Sequence, residues 1–106
     1  SVISNAVKTT KKQITFEMIV ETVCSFYDVN TDAVYGKTRK REISDARQLV
    51  MYLAKEHTQL SSTNIGVRLS RDHATVLHSC RTVKERLTVD KKLQEDVEKI
   101  QNELKK

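Results

Sequence analysis

The sequence predicts an all-α fold, a small helical domain with a helix-turn-helix and a preceding basic loop, and three observations carry that prediction. Its 106 residues contain no proline and only two glycines, Gly36 and Gly66, which leaves little of the turn chemistry that hairpins need and disfavours an antiparallel sheet. Apolar residues recur at three- and four-residue spacing from Phe16 to Leu104, the period of helices that bury one side. At 38% hydrophobic and 31% charged, the chain has the balance of one domain with one modest core.

Residues 1–13 are rich in Ser, Thr, Asn and Lys and are expected to form a flexible linker, leaving 14–106 as the domain. Thr15 is placed to cap a first helix carrying Phe16, Ile19, Val20, Val23, Cys24 and Tyr27. The run Asp28–Asp32 breaks it, and Thr31 or Asp32 is expected to cap a single turn through Val34 and Tyr35. Gly36-Lys37-Thr38-Arg39-Lys40-Arg41 reads as a basic loop. A long helix should follow from about Glu42 to Thr58, with Ile43, Ala46, Val50, Leu53, Ala54 and His57 on one side. Ser61, Ser62 and Thr63 offer caps for a short helix through Ile65 and Leu69, after which a tight turn leads into a helix running from Arg71 to about Leu87. The last helix, from about Asp90, spaces Val89, Leu93, Val97, Ile100 and Leu104 along one stripe.

Charge is distributed unevenly. Residues 36–86 hold eleven Lys and Arg against five Asp and Glu, whereas residues 14–35 hold four acids and no base. A basic middle between acidic or neutral flanks is the footprint of a polyanion-binding face. Cys24 and Cys80 both sit among apolar helix positions and read as small hydrophobes in a reducing cytoplasm. No apolar run is long enough to span a bilayer, and no signal-peptide pattern opens the sequence.

The most informative stretch is Arg71-Asp72-His73-Ala74-Thr75-Val76-Leu77-His78-Ser79-Cys80-Arg81. Val76, Cys80, Val83 and Leu87 fall on one stripe while Thr75, His78, Ser79 and Thr82 lie opposite, so that one side packs and the other is free to enter a groove. Asp72 can accept from a cytosine amino group, His73 can donate to a base acceptor, Ala74 can touch a thymine methyl, and Thr75 offers a hydroxyl or a methyl. Other roles stay open at this point: Asp72 is equally a helix cap, and on an ideal wheel His73 points nearer Cys80 than Thr75. Arg39, after a glycine, is suited to a narrow A/T-rich minor groove, where the negative potential is strongest, or to an ordinary solvated charge run.

These residues resemble the bacterial DnaA family of chromosomal replication initiators, whose C-terminal DNA-binding domain opens its recognition helix with Arg-Asp-His-(Thr/Ala)-Thr-Val-Leu-His-(Ala/Ser)-Cys. The likeness runs from about Ile14 to nearly the end. It implies sequence-specific binding of double-stranded DNA at A/T-rich origin boxes to initiate replication. Asp72, His73, Ala74 and Thr75 would read the major groove and Arg39 the minor groove, with Arg41, Arg47, Gln48, Lys55 and Arg71 holding phosphates. It also implies a monomeric domain with no cofactor of its own, ATP and Mg belonging to an upstream ATPase module of the parent, and work at the nucleoid of a bacterial cytoplasm. Three departures stand out. Thr38 and Asp45 occupy positions that are often basic in the family, and the turn before Arg71 is one residue shorter and lacks the usual glycine pair.

Two other classes compete. Catalysis is disfavoured because no phosphate-cradling glycine loop, nucleophile elbow or His-Glu-x-x-His pattern is present, and the spacing of His73, His78 and Cys80 does not prepare a tetrahedral metal site. A basic protein-interaction module would use the stripe from Val89 to Leu104, which is too short for a convincing coiled coil. A helix-turn-helix transcriptional regulator unrelated to replication fits the fold equally, and only the motif residues separate it.

Overall fold

The computed structural model describes residues 13–105, so the expected linker lies almost wholly outside the described residues. The described chain forms six helices and no strand: α1 (Phe16–Tyr27), α2 (Thr31–Tyr35), α3 (Arg41–His57), α4 (Ser62–Leu69), α5 (His73–Leu87) and α6 (Lys91–Leu104). Local sequence explains most of the boundaries. Thr15, Ser61 and Asp90 each accept a backbone N–H of the first turn they precede, at α1, α4 and α6. Each such cap satisfies a donor that the helix cannot, and stabilises by about 1 kcal/mol.

α3 is the central helix, packing on α1, α2, α4 and α5, while α6 closes the bundle against α1 and α5. The shared core runs from Phe16, Ile19, Val20 and Val23 through Leu49, Val50, Leu53 and Ala54 to Ile65, Leu69, Val76, Val83 and Ile100. α4 and α5 pack on each other as the expected helix-turn-helix pair. Their close approach depends on Gly66, which is buried against the next segment: a Cβ there would collide with the carbonyl oxygen of Arg71.

The short turn is built without the glycine pair. Ser70 itself takes the left-handed conformation, φ 57°, and its N–H returns to the carbonyls of Gly66 and Val67. The Arg71 N–H follows onto Gly66 O at 2.8 Å. A serine carries a conformational cost that glycine would not.

Four local expectations are corrected. α2 is capped by Asn30, whose side chain accepts from Asp32 N–H, rather than by Thr31 or Asp32. α5 begins at His73, because Arg71 is still in the turn and Asp72 is the cap. Ser79 is buried, at 4% exposure, and not on the open side, since α5 packs against both α3 and α4 and so hides a wider arc. Val89 is 81% exposed, because it lies in the turn before the Asp90 cap and never joins the α6 stripe.

Candidate nucleic-acid interface

The candidate interface has two parts, the basic loop and the first turn of α5. At α5, Asp72 Oδ1 accepts from Thr75 N–H at 2.9 Å. Hydrogen bonds from Thr75, through its hydroxyl and then its backbone N–H, hold the Asp72 carboxyl below the usual carboxylate range, and the group is fully exposed. Asp72 is thus the cap of α5, with its carboxylate at the exposed start of the helix. His73, Ala74 and Thr75 are all exposed beside it, so the four predicted readers form one continuous tip at the positive end of the helix. His78 is exposed a turn further on.

The loop is held differently. Residues 36–40 leave Arg39 and Lys40 exposed, and Thr38 Oγ1 accepts from Lys40 N–H at 3.3 Å. Beneath the loop lies Arg47, expected on a phosphate but in fact 6% exposed. Its Nε donates to Val34 O at 2.9 Å, Nη1 to Thr38 O at 3.2 Å, and Nη2 to Ala33 O and Gly36 O at 3.1 Å each. The phosphate expectation gives way to a bracing role, since the donors of this buried guanidinium are spent on main-chain carbonyls. Burial first, and then the neighbouring Arg71 charge, lowers the Arg47 pKa.

Arg71 is likewise turned inward. Nη1 donates to Leu69 O at 2.9 Å and Ser70 O at 3.3 Å, and Nη2 crosses to Gly36 O at 3.2 Å. Its guanidinium thus bonds to protein carbonyls of the turn and of the loop. Together Lys37, Arg39, Ser44, Arg47, Ser70 and Arg71 line an open cleft of about 480 Å³ that contains no acid. Loop and turn are thus brought together into one cationic concavity.

The remaining predicted residues sit along α3. Arg41 is exposed as its first residue, behind Lys40, and no side chain caps that helix. The helix dipole and the cations Lys40 and Arg41 coincide at this uncapped start, beside the acid Glu42 of the first turn. Gln48 is half-buried and Lys55, two turns further along, is exposed. Lys55 belongs to a second hollow, about 280 Å³, shared with Tyr52, Glu56, Leu77, Cys80, Arg81 and Lys84. Asp45 is drawn to Arg86 at 3.8 Å. A third hollow of about 230 Å³, with Leu49, Val83 and Leu93 beside Glu42, Asp45, Asp90 and Asp96, contains none of the predicted site residues.

Sequence reasoning placed Lys37 only in the basic loop and did not single out Ser44, Arg81 or Lys84. Ser44 lies four residues before Gln48, and Arg81 and Lys84 are three apart on α5, so helical spacing could have grouped them. Among the described residues no set of three or more His, Cys, Asp or Glu is placed to hold a metal, and no helix is long and apolar enough to cross a membrane. Cys24 and Cys80 are both free thiols, the first buried and the second half-buried.

Residues 16–83 match the family described as bacterial dnaA protein helix-turn-helix. The chain is 43% identical to the chromosomal replication initiator protein DnaA of Bacteroides thetaiotaomicron over 99% of its own length and 23% of the relative's. The protein of the same name from Bacteroides fragilis is also 43% identical, over 99% of this chain and 22% of the relative. That of Chromobacterium violaceum is 42% identical over 82% of this chain and 19% of the relative. The chain thus spans less than a quarter of the length of these relatives.

Proposed function

The chain belongs to the bacterial DnaA helix-turn-helix family, and from that premise we propose that it binds double-stranded DNA at origin boxes to place a replication initiator there. The recognition helix α5 enters the major groove and the basic loop the adjacent minor groove. The exposed carboxylate of Asp72 accepts from a cytosine amino group, His73 donates to a base acceptor, and Ala74 and Thr75 present methyl groups to thymine. Arg39 enters the narrowed A/T-rich minor groove. Arg41 at the uncapped start of α3, Gln48 and Lys55 hold phosphates, which fix register without choosing sequence. Arg47 and Arg71 brace the loop.

One observation carries this reading: an exposed, capped helix tip and an exposed arginine loop flank a cleft whose lining is cationic and free of acid. The domain binds as a monomer, needs no cofactor and performs no catalysis itself. ATP and Mg belong to an upstream module of the parent chain, which works at the bacterial nucleoid.

The test is a fluorescence-anisotropy titration of a box duplex and a scrambled duplex at two salt concentrations. At the higher salt the box should win by about tenfold or more, roughly 1.4 kcal/mol of specificity. Equal binding of both duplexes, lost together as salt rises, would reduce the surface to an electrostatic grip and refute the proposal.

A further inference from the structure

We propose that Arg71 is a positioning residue for two-groove reading: it ties the basic loop to the turn before α5, so that both readers meet DNA at one fixed separation. This rests on the reading above, in which Arg39 and the α5 tip enter neighbouring grooves.

Arg71 lies in neither helix of the pair. Its backbone N–H is anchored on Gly66 O at 2.8 Å, and Nη1 on Leu69 O and Ser70 O, which fixes the guanidinium relative to α4 and the turn. From that base Nη2 reaches Gly36 O, thirty-five residues earlier in sequence, at 3.2 Å. Gly36 is the hinge at which the chain leaves α2 and starts the loop. The same carbonyl accepts from Arg47 Nη2, so it is pinned from α3 and from the α4–α5 turn at once. A planar guanidinium can serve three carbonyls in fixed directions, whereas a lysine ammonium at the end of a flexible stem keeps the charge and loses that geometry. Thus R71K separates a strut from a plain phosphate contact.

The 106-residue chain, as wild type, R71K, R71M, R39A and R39A/R71K, is titrated against an intact box and two altered boxes. One is changed only in its A/T-rich half, the other only in the remaining half. Backbone ¹⁵N order parameters of residues 37–40 are measured without DNA. Both R71K and R71M should lower discrimination at the A/T-rich half by about tenfold, although Arg71 touches no base there, and keep it at the other half. R39A/R71K should discriminate no worse than R39A, because the two act through one contact. The order parameters of residues 37–40 should fall in both Arg71 variants. R71K behaving as wild type while R71M loses affinity equally on all three duplexes would overturn the strut in favour of a charge on phosphate. Unchanged order parameters in R71M would overturn it without reference to DNA. If R39A keeps its A/T discrimination, the minor-groove reading itself fails, and the inference falls with its premise.

Discussion

The two parts of the candidate interface are held in place by opposite means. The tip of α5 is organised by its own sequence, with Asp72 capping the turn it begins and Gly66 letting α4 lie close beneath it. The loop from Gly36 to Lys40 has no regular structure, and α3 behind it has no side-chain cap. Its carbonyls are gathered by two guanidiniums that come from residues nine to thirty-five positions away. A locally coded reader can be altered one residue at a time. A loop held from outside moves when its distant braces change, even though they need touch no DNA.

Substitutions at four positions and one pH series would break or sharpen that contrast. The largest effect is expected for Arg47→Met, which strips a charged donor from the carbonyls of Ala33, Val34, Gly36 and Thr38 and should cost about 3 kcal/mol in urea unfolding. An unchanged midpoint would mean that the loop is not held in this way. Gly66→Ala forces a methyl into the Arg71 backbone and should cost about 2 kcal/mol; its chemical-shift changes should centre on α4 and the start of α5, and a response centred on α2 would blur the distinction. Asp72→Ala should cost about 1 kcal/mol through the lost cap, together with box preference. Asp72→Ser restores the cap and not the carboxylate, so recovery of stability without recovery of box preference is the expected result, and recovery of both would remove the base-reading role.

Ser70→Gly should stabilise by somewhat under about 1 kcal/mol, by relieving the left-handed serine; a lower melting temperature would contradict that strain. The smallest effect lies outside both regions. His57 bonds to Gln101 at 3.1 Å, and burial first, with the Lys105 charge second, lowers its pKa below the ordinary 6.5. On acidification the unfolded chain takes up this proton before the folded one does, so the contribution is full above about pH 6.5 and is lost as pH falls below it. His57→Gln should flatten the fall of the melting temperature as pH drops below about 6.5, and an unaltered slope would assign the dependence to other groups.

Much of the fold was legible because the signals are local: caps at Thr15 and Ser61, and apolar spacing in the long helices. The exposure of the start of α5 follows from the same local pattern, and of the two roles open for Asp72 the fold forms the cap. Arg47 was not legible. Beside Gln48 it reads as one of a surface pair, and only the folded path of residues 33–38 supplies the carbonyls that draw it inside. Asp96 was hidden in the same way. It sits among the charged residues of α6, yet it is 5% exposed because Tyr27 and Lys92 both donate to it. Side chains whose partners are remote in sequence have no periodicity to betray them.

The bond from Tyr27 Oη to Asp96 Oδ2, 2.9 Å across a separation of 69 residues, sets a schedule for synthesis. α1 rests on α6 as well as on α3, with Ile100 and Leu104 sealed in the shared core. During translation α1 lacks its α6 wall until that last helix of the bundle has followed. The motif that reads as DNA-binding is therefore made before the bundle that steadies it can close, and a nascent chain stalled after α5 should expose the apolar side of α1 to chaperones.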